Sequence, residues 1–452
     1  MSKPEYFRLS SDQVALYIYV LGAPRALLNM PTRVDFEEPI DEEKALEAIK
    51  LTVKRLPFCT IRMHEYEPDN FWQYYSDEEP AGIELVDMSD KTEDDVEAYL
   101  LEKARAALPN NYNDVQLYDA KLIRRPSGLD TLFFNGYHMI MDSVGLITVI
   151  TYFFKVYEAL VDGTELPEPG IGPEKHIEKS WEYMESKRWQ QDIDWWRAQF
   201  DTEPVFSSMN PKPSPEYVEG KNYGLPLRPD QFLCTSMPIR IPAETVKLVD
   251  EAAAARNMSP QVFYALALRS WLYKMSGSDD ICFDTTASRR SRLYERDCGM
   301  TVAHQLVWRS KVPGSDTFAE GLEKMNLSQK DLYRHTGVEL RNFLPYTNEK
   351  YGFPEDAIFR GLVFTYQPYF DTQGLNLKFR ADHVNTGFAF QPLYLNLMPH
   401  DASGDLYADY IYSHNYLDGE NLKKFHAFMM KFILAGIADP DKTSDQLCDE
   451  CM

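Results

Sequence analysis

Between Thr131 and Leu160 an apolar strand, a short loop and a long apolar helix follow one another, and this run constrains the fold more than any other stretch. Thr131 to Phe134 read as a buried strand, apolar and aromatic. Val144, Ile147, Val149, Ile150, Phe153, Phe154 and Tyr157 recur at roughly helical spacing. The loop between them holds His138 and Asp142, separated by Met139, Ile140 and Met141. An imidazole and a carboxylate among such side chains are costly to bury unless each is satisfied. Asp142 can supply a hydrogen bond or a local charge, and Ser143 and Gly145 allow a tight turn into the helix. On its own, His-x-x-x-Asp is short and common, and reads as a structural histidine in a strand-to-helix loop.

The rest of the chain supplies the context. With 452 residues it is long enough for two substantial cores. Hydrophobic residues make up 44% and aromatics 13%, which places it among globular proteins. A net charge of −23 argues against nucleic acid bound over a broad face, which needs cations to neutralise phosphates. It leaves room for a local basic mouth that takes an anionic ligand. No apolar leader follows Met1, and the apolar run Val144 to Phe154 is too short to span a bilayer. Six cysteines are sparse for this length and point to reduced thiols in a cytoplasmic protein. Cys448 and Cys451 form a C-x-x-C near the end with no further ligands close by, so no zinc site and no role for this tail are expected.

Taken in order, the first half alternates strands and helices. Ser10 or Ser11 caps a helix through Tyr19, Thr32 to Phe36 is a strand, and Asp41 opens a helix that Pro57 ends. Phe58 to Met63 and Phe71 to Tyr75 read as a hairpin, and Thr92 opens another helix. Val115 to Ile123 and Thr131 to Gly136 form a second hairpin closed near Pro126 to Gly128. One sheet with helices on its faces is expected. A breaker cluster from Leu166 to Pro173 marks a boundary, and a Trp-rich helical segment, Ile177 to Phe200, reads as interdomain packing. Pro204 to Pro229 is irregular. Strands at Thr235 to Ile241, Ile281 to Thr286, Leu306 to Val312, Leu362 to Gln367 and Leu406 to Tyr412 then repeat the style of the first half, with a buried helix at Gln261 to Met275 and a last helix at Gly419 to Ala435. The two halves suggest a pseudo-duplicated α/β architecture, residues 1–176 and 177–452.

The order of short motifs resembles a free-standing condensation domain, of the superfamily of nonribosomal peptide synthetase condensation domains and chloramphenicol acetyltransferase. The family's central motif is His-His-x-x-x-Asp-Gly, and here Tyr137, His138, Asp142 and Ser143 stand in its named places. Leu9-Ser10-Ser11-Asp12-Gln13 is similar to the family's opening Leu-Ser-x-x-Gln. Lys54-Arg55-Leu56-Pro57, Asp194-Trp195-Trp196, Met258-Ser259-Pro260 through Ser276 to Asp280, Ser288-Arg289, Gly299-Met300 and Tyr333-Arg334-His335 resemble later family motifs in family order.

The resemblance implies two chloramphenicol-acetyltransferase-like α/β sandwich lobes in a V, a pseudo-dimer with a central tunnel. It implies acyl transfer from the phosphopantetheine thioester of a carrier protein, or from coenzyme A, to a small-molecule amine or alcohol. His138 is then the general base, Asp142 holds the loop, and N–H groups after Ser143 face the oxyanion. No bound cofactor or metal and no membrane span are required. The acyl-carrier or peptidyl-carrier protein arrives in trans, and a monomer is expected. Tyr137, Ser143 and Gly145 border the substrate, as do Tyr366 and Gln367 at the end of their strand. Thr60 stands where the family carries an arginine that pairs with the motif aspartate. Arg62, two residues on and on the same strand face, is expected to take that pairing. Arg289, in the densest basic run, is expected to meet the donor's phosphate. Tyr137 and Ser143 depart from the family motif. A catalytically silent relative that binds a partner or carrier protein is therefore the alternative.

Overall fold

The computed structural model describes residues 4–19, 24–67, 70–106, 113–204, 209, 233–296, 298–352, 362–367, 377–389, 391–414 and 416–452. The irregular stretch expected between Pro204 and Pro229 lies, but for Pro204 and Met209, outside them. The chain forms two compact units that a single boundary at 176/177 does not separate. One comprises Met1–Ser186, Ser288–Ala303 and Phe370–Phe388, the other Lys187–Ala287, His304–Tyr369 and Ala389–Met452. The first unit therefore borrows two segments from late in the chain.

Its main sheet has five strands in the order Phe379–His383, Asn29–Phe36, Asp130–Tyr137, Tyr118–Arg124 and Glu84–Asp87. All neighbours are antiparallel except the last pair. The edge strand Phe379–His383 comes from a borrowed segment and went unread in the sequence. The Asp130–Tyr137 strand is buried at every position, as its apolar run predicts. It leads into the Ser143–Asp162 helix, which Asp142 caps at one end and Gly163, at φ 65°, closes at the other. This helix is long and apolar enough to cross a membrane by length and composition, more than the Val144 to Phe154 run alone allows, and half of its apolar window is buried. Phe153 and Phe154 pack against Phe36 and Phe379 of the sheet.

A second, three-stranded sheet runs Phe7–Arg8, Asn70–Tyr75, Ile61–Glu67. The expected strand from Phe58 starts only at Ile61, because Pro57 opens a helical turn, Pro57–Thr60. The hairpin pairing with Asn70–Tyr75 holds.

The second unit is a six-stranded sheet, His304–Lys311, Asp280–Ala287, Val363–Tyr366, Leu393–Met398, Leu406–Tyr412 and Thr235–Ile241, in which Val363–Tyr366 is parallel to both neighbours. The Pro260–Ser276 helix, capped by Ser259 and ended by Gly277 at φ 70°, is buried from Gln261 to Leu272. The Gly419–Ala438, Phe318–Arg334 and Ser444–Cys451 helices pack on it. Cys448 and Cys451 thus lie in a structural C-terminal helix rather than a tail without a role, and none of the six cysteines forms a disulfide among the described residues. Two tryptophans of the Trp-rich segment each have their packing defined within one unit. Trp196 stacks on Phe343, with centroids 4.8 Å apart, in the second core. Trp181 donates to the Leu9 carbonyl in the first unit.

Candidate active site

The last residues of the Asp130–Tyr137 strand are bound on both sides. Tyr137 N–H donates to Leu117 O (2.9 Å), and His138 N–H to Leu28 O (2.8 Å). The chain then turns, Ile140 N–H reaching back to Tyr137 O at 2.9 Å. Two side chains grip this turn. Thr301 Oγ1 donates to the His138 carbonyl, and Gln13 Nε2 donates to the Met139 carbonyl at 2.9 Å. Gln13 is itself fixed by Ser10 in a reciprocal cap and by Gln73 at 3.0 Å. The Leu-Ser-x-x-Gln pattern thereby becomes physical: it caps a helix and holds the histidine loop.

His138 is partly exposed, while its Nδ1 is buried and has no hydrogen-bond partner among the described residues. Burial pushes the imidazole below its ordinary value, only partly offset by the Asp142 carboxylate and by the carbonyls of His138 and Met141. A lowered value favours the neutral ring near pH 7.

Asp142 is the hub of the loop. Its Oδ1 accepts from Val144 N (3.1 Å), Gly145 N (3.2 Å) and Arg290 Nη2 (2.8 Å). Its Oδ2 accepts from Arg290 Nη1 (2.7 Å), Val302 N (3.1 Å) and Ala303 N (3.1 Å). Burial alone raises the carboxyl's pKa, but the Arg290 guanidinium and the Val302 N–H outweigh it and hold the group below the usual carboxylate range. A carboxylate so saturated positions the loop and has no lone pair to share a proton with His138.

Several expectations are corrected here. The partner of Asp142 is Arg290; Arg62 instead donates to the Ile61 carbonyl at 3.1 Å. Arg289 does not stand open to a phosphate. Its Nη1 lies 2.6 Å from Oδ1 of the buried Asp12, whose other oxygen takes His176 Nε2 at 2.7 Å. The N–H groups of Val144 and Gly145, expected to face an oxyanion, are taken by the Asp142 cap. Gly145 is required by packing, since a Cβ there runs into the carbonyl oxygen of Gly299. Tyr137 is fully buried. Ser143, at the helix start, is partly exposed. In the second unit Tyr366 stacks on Tyr264 (5.8 Å), and Gln367 N–H donates to Leu397 O (2.8 Å).

Arg290, Thr301, Gln73 and Asp12 were missed as parts of the loop's support. The basic run 288–292 flagged the right segment but not the right arginine. Other motifs also resolve into contacts. His335 Nδ1 lies 2.6 Å from Asp192 Oδ1, and its ring stacks on Trp195 at 4.2 Å, within the second unit.

A model of the condensation-domain family matches residues 9–448. Surfactin synthase subunit 1 of Bacillus subtilis (strain 168) is 21% identical over 419 residues, which are 91% of this chain and 11% of that protein. Tyrocidine synthase 3 of Brevibacillus parabrevis is 21% identical over 452 residues, 98% of this chain and 6% of that protein. The chain thus spans only a small part of the length of these curated relatives. Among solved structures, the first condensation domain of the CDA synthetase superposes with a TM-score of 0.81 at 17% identity, covering 98% of each chain. A mutant starter condensation domain of rhizomide synthetase in complex with C8-CoA gives 0.80 at 15%, covering 97% of this chain and 96% of that one. VibH, an NRPS condensation enzyme, gives 0.76 at 13%, covering 96% and 100%. At these identities the likeness is one of fold.

Proposed function

The chain belongs to the condensation-domain family, and from that membership we propose that it is an acyltransferase moving an acyl group from a thioester to an amine or alcohol, with His138 as general base. The observation that carries the proposal is the clamped loop on which the His138 imidazole sits. Asp142, Gln13 and Thr301 hold that loop, and burial lowers the imidazole's pKa, which favours the neutral base. As the amine or hydroxyl attacks the thioester carbonyl, Nε2 takes its proton. The C–S bond breaks, and the departing thiolate takes that proton back. Asp142 stays ionised throughout and keeps the loop in place. The Val144 and Gly145 N–H groups are taken by Asp142 and do not serve the oxyanion. A neighbour's complex with C8-CoA supports coenzyme A or carrier-bound phosphopantetheine as donor. Six cysteines without a disulfide among the described residues support a reducing, cytoplasmic setting.

Thiol release from a panel of acyl-coenzyme A and acyl-carrier donors, with amine and alcohol acceptors, tests this. The expected result is acceptor-dependent release that His138→Ala lowers by about 100-fold or more. Release unchanged in that variant removes His138 from the reaction. No release from any donor, together with tight carrier binding, leaves a silent partner-binding domain.

A further inference from the structure

The sheet of the second unit carries a buried carboxyl that the reaction above does not use. Phe283 faces the core, against Trp308 and Phe364. Its neighbour Asp284 therefore points to the opposite face of the sheet. By register Asp284 lies beside Val363, and Thr365 on that same face lies beside Asn396. The face carries several hydrogen-bonded polar side chains. Thr365 Oγ1 donates to Asn396 Oδ1 at 2.7 Å. Gln391 Nε2 donates to Gln305 Oε1 at 3.3 Å, and Gln305 Nε2 donates to Asp284 Oδ2 at 2.6 Å. The other oxygen of Asp284, Oδ1, is buried and has no partner among the described residues.

The same chain shows what a buried carboxylate with a structural role looks like. Asp142 collects six donors, including a guanidinium. Asp12 pairs with Arg289 and Asp192 with Arg188. Asp284, only 1% exposed, has a single amide donor. Leaving a buried acceptor empty costs roughly 1–3 kcal/mol, and an asparagine would keep the Gln305 bond without a titratable group. Such groups persist where they meet something absent from the free protein.

We propose that Asp284 is a recognition residue that receives a second, positively charged group, an ammonium or guanidinium, carried by the acceptor. The word acceptor rests on the acyltransferase reading; the cation site does not. The nucleophilic amine must be neutral to attack, so the cation that Asp284 reads is a distal one, as in a diamine or a basic amino acid. Burial pushes the free carboxyl up to about 8. At pH 7 it is therefore mostly neutral, and pairing with an ammonium ionises it and releases one proton to solvent.

Calorimetry on the full chain at pH 7, in two buffers of different ionisation heat, compares 5-amino-1-pentanol with 1-pentanol, two alcohols that differ only in the distal ammonium. The amino alcohol is expected to bind about tenfold tighter or more, with net proton release. Asp284→Asn is expected to bring the two alcohols to within about threefold while retaining the wild-type melting curve at acid pH. Equal binding of the two alcohols by the wild-type protein, or a preference undiminished in Asp284→Asn, overturns the proposal. Should that variant not fold, amino-alcohol binding to the wild type without proton release overturns it as well. Acyl transfer separates the two readings. Transfer to both alcohols with equal KM sinks the cation site and leaves the enzyme. Transfer to neither, with amino-alcohol binding intact, does the reverse.

Discussion

Removing Arg290 tests the architecture of the loop most directly. The guanidinium makes two of the six hydrogen bonds to Asp142 and also donates to the Met300 carbonyl. In Arg290→Ala the carboxylate keeps four backbone N–H donors but loses its only charged partner among the described residues. Breaking a buried pair by deleting one member costs about 3–5 kcal/mol, and the four remaining donors favour the lower end. The pH dependence has a definite sign. In the wild-type protein the folded pKa of Asp142 is lowered, so its contribution is present above the unfolded value of about 3.9 and is lost as pH falls through the folded value. In the variant, burial acts without the guanidinium against it and the carboxyl shifts up. The stability gap between the two proteins is therefore widest near neutral pH and closes in acid. Urea unfolding at a series of pH values reads this out. Asp142→Asn in the Arg290→Ala background is expected to recover about 1–3 kcal/mol. A gap that does not vary with pH, or two substitutions whose costs simply add, refutes the pairing as the loop's main support.

Three further predictions follow from the same geometry. The transfer rate is expected to fall in acid with an apparent pKa below 6.5, since burial lowers that of His138, and a pH–rate profile with its acid limb above 7 contradicts this. Gly145→Ala drives a methyl into the Gly299 carbonyl and is expected to cost about 1–3 kcal/mol in chemical unfolding; a wild-type midpoint denies the close approach. Asp284, raised to about 8, ionises more readily unfolded than folded, so it makes stability decline between about pH 4 and 8. Asp284→Asn should flatten that decline, and unchanged pH slopes in thermal melts argue against a buried neutral acid.

Much of the secondary structure was legible because its signals are local. Asp41, Thr92 and Ser259 cap the helices they announce, and the all-buried Asp130–Tyr137 strand is an apolar run. The edge strand Phe379–His383 was not, because Arg380 and Asp382 break its apolar character and its partner lies far away in sequence. His138 and Asp142 were readable as a pair, but the cation that holds Asp142 was not. Arg62 was chosen on strand geometry, and Pro57–Thr60 turned out to be helical. Arg289 and Arg290 are adjacent and alike in sequence. Arg289 adopts φ 55°, and the two side chains part, one to Asp12 and the other to Asp142. Nothing short of the backbone conformation distinguishes them.

The borrowed segments also set a clock on biosynthesis. Asp142 and Arg290 are 148 residues apart in the chain. At roughly 5–20 residues per second, the ribosome delivers the arginine on the order of 7–30 s after the aspartate. The edge strand Phe379–His383 emerges later still. Through that interval the nascent chain holds an unpaired carboxylate and an open edge at Asn29–Phe36. The first unit can thus begin to collapse but cannot complete its histidine loop until most of the polypeptide exists. A premature stop anywhere before Arg290 yields a product that lacks the loop's clamp and exposes a strand edge, a substrate for chaperones and proteases rather than a smaller working enzyme.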